Sequence, residues 1–225
     1  MTLIKEDIDR LRVLIDESPK KMVIVSHTNP DGDAIGSSLA WGALLERKGH
    51  EVTYVVPNKY PYFLDWMADI NKFRIFKDDA SGETAAKIAE ADVIFCLDFN
   101  MVSRLEGLSD AISANTGAVF VLVDHHLDPP REDFDLIFSH PGYSSTSFLI
   151  YDIIVMLAGL DAIDRNMAES MFVGMMTDTG NFSFSFLTAE LFEAVAEIVR
   201  KGVNIPQVHA NVYNSFTIER VKLLG

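Results

Sequence analysis

The seven residues from His27 to Asp33, within "SHTNPDGD", hold three side chains able to ligate a metal or move a proton: His27, Asp31 and Asp33. They follow the apolar run "MVIV" and precede the apolar "AIGSSLAW". Ionisable groups are seldom buried without a partner of opposite charge or a metal. The plain account is a turn in which Pro30 fixes one dihedral, Gly32 permits an unusual one and Asp33 caps the next helix. Capping needs one side chain, and this loop supplies three.

Comparable groups recur along the chain. Asp98 ends "VIFCLD", Asp124, His125 and His126 end "VFVLVDHH", and Asp178 follows an apolar segment in "MMTDTGNF". Alone, Asp98 reads as a loop start and Asp178 as a cap beside the turn signalled by Gly180 and Asn181. Two histidines directly after an aspartate are harder to assign to the core. Neighbouring side chains at a strand end diverge, so one imidazole is expected at a metal and the other at substrate. Asp124 is then placed to accept a ring proton and fix the tautomer. The candidate metal ligands are His27, Asp31, Asp33, Asp98, His125 and Asp178, and the candidate catalytic residues are Asp98, Asp124 and His126. Oxygen and imidazole donors without thiolate suit Mn²⁺, Mg²⁺ or Fe²⁺. Six ligands exceed the need of one ion, and two ions about 3.5–4 Å apart clamp the attacking and leaving oxygens of a phosphoryl displacement. Arg104, Ser145 and Thr146 are weaker candidates for phosphate contact, against ion pairing for the first and helix capping for the other two.

These groups need a frame that gathers them. Continuous apolar runs of strand length ("KMVIVS", "EVTYVVP", "DVIFCLDF", "AVFVLVDHH", and a short "FRIF") alternate with helical patterns over residues 4–17, 34–48, 82–90 and 109–115. In the first helix Ile4, Ile8, Leu11, Leu14 and Ile15 share a face. The second half turns helical over 145–160, 167–176, 188–201 and from Ile205. The expected fold is α/β, a parallel sheet with helices on both faces. Ligands of such sheets sit beyond the C-terminal strand ends, where the polar groups fall. The Met-rich "NMAESMFVGMMT" reads as helix core.

Composition narrows the function. The 225 residues include 33 acidic and 19 basic ones, a formal charge of −14, with no basic cluster, which disfavours long duplex nucleic acid. The longest apolar stretch, Phe148 to Leu160, is broken by Asp152 and too short to span a membrane. The single Cys96 sits in an apolar strand and cannot form an internal disulfide, which fits a cytoplasmic protein.

At this point the sequence resembles the DHH phosphoesterases. "SHTNPDGDAIGS", "CLDFN", "VDHH" and "TDTGNF" are similar to that family's four motifs, in order, over about Lys21 to Phe184. The resemblance implies that His27 and Asp31 hold one ion, that Asp33, His125 and Asp178 hold the other, and that Asp98 bridges them. It further implies two divalent ions, usually Mn²⁺, and a place for His126 near the scissile phosphate. The nearest likeness is to small bacterial members that degrade very short RNA and dephosphorylate 3′-phosphoadenosine 5′-phosphate. The expected partner is therefore a short RNA or nucleotide, and a homodimer is compatible with the sequence. A catalytic domain is expected over 1–187. Residues 188–225 are expected to be C-terminal helices leading towards a substrate-binding lobe that this sequence lacks. Pyrophosphatase or exopolyphosphatase activity, or a non-catalytic nucleotide-binding module, are the alternatives.

Overall fold

A computed structural model describes residues 3–184 and 186–214. After helix α1 (Lys5–Asp16), strand β1 (Lys21–Ser26) leads through the His27–Asp31 loop into α2 (Gly32–Arg47), followed by β2 (Glu51–Val56), β3 (Phe73–Ile75), α3 (Glu83–Ala89) and β4 (Val93–Leu97). Then come α4 (Leu108–Ala114), β5 (Val119–Asp124), β6 (Leu136–Ser139), α5 (Thr146–Ala158), α6 (Arg165–Asp178), α7 (Ala189–Arg200) and α8 (Ile205–Tyr213). The sheet has the order β3-β2-β1-β4-β5-β6 and every pairing is parallel. This is the doubly wound α/β arrangement, in which the chain reverses direction between β1 and β4.

The strands form because runs of Val, Ile and Phe can be buried on both faces. Along β1 and β4, Met22, Ile24, Val93, Phe95 and Leu97 join one core, while Val23, Val25, Ile94 and Cys96 join the other. The larger core lies under α1, α2, α5 and α6 and includes Met167, Met171, Met175 and Met176 of the Met-rich segment. Cys96 is fully buried, which raises its thiol pKa and leaves it a small hydrophobe.

Several details differ from the sequence expectation. The cap of α2 is Asp31, whose Oδ1 accepts from the Asp33 and Ala34 N–H groups, so Asp33 is free for another role. Strand β6 lies in "DLIFSHP", a stretch too short and too polar-flanked to stand out by periodicity. Ile4 precedes α1 and is exposed, leaving Ile8, Leu11 and Ile15 as the buried face. Leu191, Ala194, Ile198, Val208 and Val212 of α7 and α8 enter the same core as the rest, so packing marks no boundary at residue 187. Of the segment 188–225 expected to lead towards a linker, residues 215–225 lie outside the described residues.

Helices α2 and α6 cross at glycines. A Cβ on Gly36 would overlap the Ser170 carbonyl oxygen, and one on Gly174 would overlap Ser147 Oγ and stand 2.6 Å from Asp33 Oδ1. Although alanine is the better helix former by about 1 kcal/mol, Gly36→Ala and Gly174→Ala should each lower stability in urea unfolding by about 1–3 kcal/mol through overpacking. Gly117→Ala, whose nearest neighbour would be 3.8 Å away, should stay within about 0.5 kcal/mol of the parent.

Candidate metal centre

The reversal between β1 and β4 is where the site forms. Ser26 pairs with Leu97, so His27 and Asp98 leave adjacent strand ends together. The Asp31 cap keeps its side chain at the start of α2, and Asp33 lies within the first turn, fully buried. His125 and His126 follow β5, which pairs with β4, and Asp178 is the last residue of α6. All six candidate ligands therefore reach one region.

Three groups of donors lie with their atoms within 4.8 Å of one another: His27, Asp31 and Asp98; Asp33, His125 and Asp178; and Asp98, His125 and His126. Asp98 thus stands between two clusters. His27 Nε2 is 3.5 Å from Asp98 Oδ2, and His125 Nε2 is 3.6 Å from Asp98 Oδ1 and 3.4 Å from Asp178 Oδ2. These separations are long for hydrogen bonds and suit donors that converge on a common cation. His27 Nδ1 lies 2.9 Å from the Thr28 carbonyl oxygen, which only accepts. Nδ1 therefore carries the proton, and the Nε2 lone pair faces the carboxylates.

Asp98 sits in the left-handed region, φ 65°, a conformation that aspartate tolerates better than most residues. Its N–H donates to the Val123 carbonyl at 3.1 Å, and Thr146 Oγ1 donates to its Oδ1 at 3.0 Å. Asp33 receives the Thr146 N–H on Oδ2 at 2.6 Å and the Ser147 N–H on Oδ1 at 2.8 Å. These are orphan donors of the α5 N-terminus, the place where a helix best receives negative charge. Ser145 caps the same helix by accepting from the Phe148 N–H at 3.1 Å. Ser145 and Thr146 are both fully buried; Ser145 takes the capping role that its place in the sequence offers, and Thr146 is engaged with Asp33 and Asp98. The same helix start brings in Ser147, which helix-start vocabulary alone does not single out.

The paired histidines also differ from expectation. Their rings do not diverge: the centroids lie 4.7 Å apart, because the chain leaves the strand after Asp124. Their partners separate them instead. Asp124, fully buried, accepts from His126 Nδ1 at 2.7 Å and from the His126 N–H at 3.0 Å. The bond to Asp124 raises the His126 pKa against the opposing effects of burial and the Arg104 charge. Arg104 is half-buried, close enough to influence His126, and makes no ion pair among the described residues.

The electrostatics fit divalent cations. Burial first, then Asp33, Asp31, Asp124 and Asp178, holds the Asp98 carboxyl well above the ordinary carboxylate range. Burial likewise raises Asp33, against opposition from His125 and the Ser147 hydrogen bonds, and pushes Asp178 up to about 8 with help from Asp33 and Asp31. Four carboxyl groups and two imidazoles without thiolate are a hard donor set, and a cation removes the mutual repulsion of the carboxylates.

The family model for the DHH family, N-terminal domain, matches residues 21–175. The chain belongs to the DHH family. Among its relatives is a Thermus thermophilus protein described as a bifunctional oligoribonuclease and PAP phosphatase, NrnA. It is 29% identical over 192 residues, covering 82% of this chain and 51% of the relative, so the chain spans about half of that protein's length. The cyclic-di-AMP phosphodiesterase PdeA of Listeria monocytogenes is 28% identical over 77% of this chain and 27% of its own. A crystal structure of an exopolyphosphatase-related protein from Bacteroides fragilis superposes with a TM-score of 0.93 at 36% identity, covering 99% of this chain and 64% of that one.

The metal-free protein should respond to pH through these carboxyls. Asp178 titrates near 8 in the fold and near 3.8 when unfolded, so between those values the folded state holds the extra proton. Its contribution to stability is full below about pH 4 and disappears as pH rises through about 8. Thermal unfolding in EDTA should accordingly show a Tm falling across that window, and saturating Mn²⁺ should flatten the fall by replacing the protons.

Proposed function

We propose that the chain is the catalytic portion of a two-metal phosphoesterase that hydrolyses short oligoribonucleotides or small nucleotides. The observation that supports it is Asp98 standing between two donor clusters at the point where the sheet reverses. On this reading His27 and Asp31 hold one ion, Asp33, His125 and Asp178 hold the other, and Asp98 serves both. Divalent ions there would neutralise the phosphoryl oxygens and lower the pKa of water, and Mn²⁺ is the proposed occupant.

The remaining groups act on the substrate side. Asp124 fixes the His126 Nδ1 proton and favours the imidazolium form, leaving Nε2 to donate a hydrogen bond to a phosphate oxygen or a proton to the leaving group. Arg104 brings positive charge to the same side and is proposed to pair with a phosphate. The α5 N-terminus, being committed to Asp33, positions a ligand and leaves anion binding to the cations.

A pyrophosphatase or exopolyphosphatase reading is favoured by the Bacteroides fragilis neighbour's description. Pyrophosphate concentrates charge and calls for several cations, and Arg104 is the basic residue that bears on His126 among the described residues. Nucleotide substrates suit this site better. Assays of the Mn²⁺-loaded chain on pApA, 3′-phosphoadenosine 5′-phosphate and pyrophosphate should give turnover on the first two. Pyrophosphate as the preferred substrate would reverse the ranking.

Metal analysis should approach two ions per chain, and one ion with full activity would defeat the paired site. Asp98→Asn keeps the left-handed residue and the Thr146 hydrogen bond but removes the charge. It should fold normally and lose about 100-fold or more in turnover, beyond the effect usual for residues behind a ligand. His125→Ala should weaken metal binding in calorimetry, whereas His126→Ala should retain the ions and slow turnover at saturating Mn²⁺ by about 100-fold or more. Rescue of His126→Ala by excess metal would exchange the two roles.

A further inference from the structure

Beside the metal ligands lies a cavity of about 630 Å³, within the range of small-molecule sites. His125, His126 and Asp178 form one side of it. The other side is apolar and exposed: Leu127, Phe184 and Phe186 are 66%, 60% and 72% exposed. Large apolar side chains grouped around one cavity mark a binding surface, whereas scattered ones need no explanation.

The backbone beneath the phenylalanines shows that this wall is built. The chain after Asp178 turns left-handed through three successive residues, Gly180, Asn181 and Phe182, with φ of 57°, 58° and 58°. L residues adopt such a run only when the surroundings compensate for it. Here Asn181 N–H donates to Met176 at 2.7 Å, and the Thr179 carbonyl accepts from Ser183 at 3.0 Å and Phe184 at 3.1 Å. The turn brings the Phe184 ring back against Gly180, where a Cβ would collide with it.

We propose that this cavity is a nucleobase subsite. The base of a nucleotide stacks on Phe184 and Phe186, while the phosphate lies at the metal ligands. The inference rests on the phosphoesterase reading, which supplies the phosphate. Stacking is indifferent to base identity, because every base has a π face, so the subsite selects nucleotides over bare phosphates without selecting sequence. An apolar peptide would satisfy the phenylalanines but would bring no anion to the adjoining cationic site.

Calorimetry on the Mn²⁺-loaded chain with adenosine 5′-monophosphate and ribose 5-phosphate separates the base from the sugar phosphate. Adenosine 5′-monophosphate should bind about tenfold tighter or more. Phe186→Ala, at the most exposed position, should lose most of that preference, and Phe186→Trp should restore it. Equal affinity for the two ligands, binding of neither, or a preference that survives Phe184→Ala combined with Phe186→Ala would overturn the subsite. Hydrolysis of pApA is measured in parallel. Turnover without a base preference removes the subsite and keeps the phosphoesterase reading; a base preference without turnover does the reverse.

Discussion

Two backbone N–H groups on one buried carboxylate hold the site together. Asp33 lies inside the protein and would be strongly disfavoured there as an anion without donors. The first turn of α5 supplies them through Thr146 and Ser147. That contact fixes α5 against α2 at short range and leaves no room for a side chain at Gly174, so α6 must pass close as well. Since α6 ends in Asp178, the same contact sets where the second ligand cluster can form. Packing and charge are therefore one constraint here: the helices approach closely because a carboxylate must be solvated by backbone, and the carboxylates converge because the helices do.

The sheet supplies the other half. Its reversal between β1 and β4 leaves a crevice at adjacent strand ends, and His27 and Asp98 leave those ends in register. The left-handed backbone of Asp98 turns the chain out of β4 at once, and Thr146 steadies its carboxylate. Thr146 thus touches Asp33 through its backbone and Asp98 through its hydroxyl, linking both clusters to one helix terminus. Fixed tautomers complete the arrangement, with His27 set by the Thr28 carbonyl and His126 by Asp124.

Much of this is legible in the sequence, and the reason is local. Runs such as "MVIV" and "VIFCL" declare buried strands, and a polar residue directly after each falls at the strand end whatever the tertiary detail. The four-motif order then carries the family. What was hidden depends on long-range geometry. The cap at Asp31 in place of Asp33 follows from where the first helical turn begins, which "NPDGD" leaves open by two residues. Ser145 and Thr146 offer both helix capping and phosphate contact to a reader of the sequence; Ser145 caps α5, and Thr146 meets the carboxylate of Asp33, 113 residues away in the chain. Strand β6 is four residues long and gains its stability by pairing with β5, which no local pattern announces. The Phe184 and Phe186 wall has no sequence signature, because exposed aromatics in a turn carry no period.

The overall charge of −14 and the proposed polyanionic substrate stand in apparent conflict. Surface charge acts over about 8–10 Å at ordinary ionic strength, so the acidic exterior repels a long nucleic acid along its whole length and a small nucleotide only weakly. Binding a long strand requires a row of cations, one for each phosphate held. On the proposed reading, divalent ions would reverse the sign locally and Arg104 would add to them, enough for the one or two phosphates of a small substrate. Any further affinity must come from uncharged contacts, and beside this site those are aromatic. On the proposed reading, an acidic shell, a compact cationic centre and an apolar wall would together favour small nucleotides over long strands.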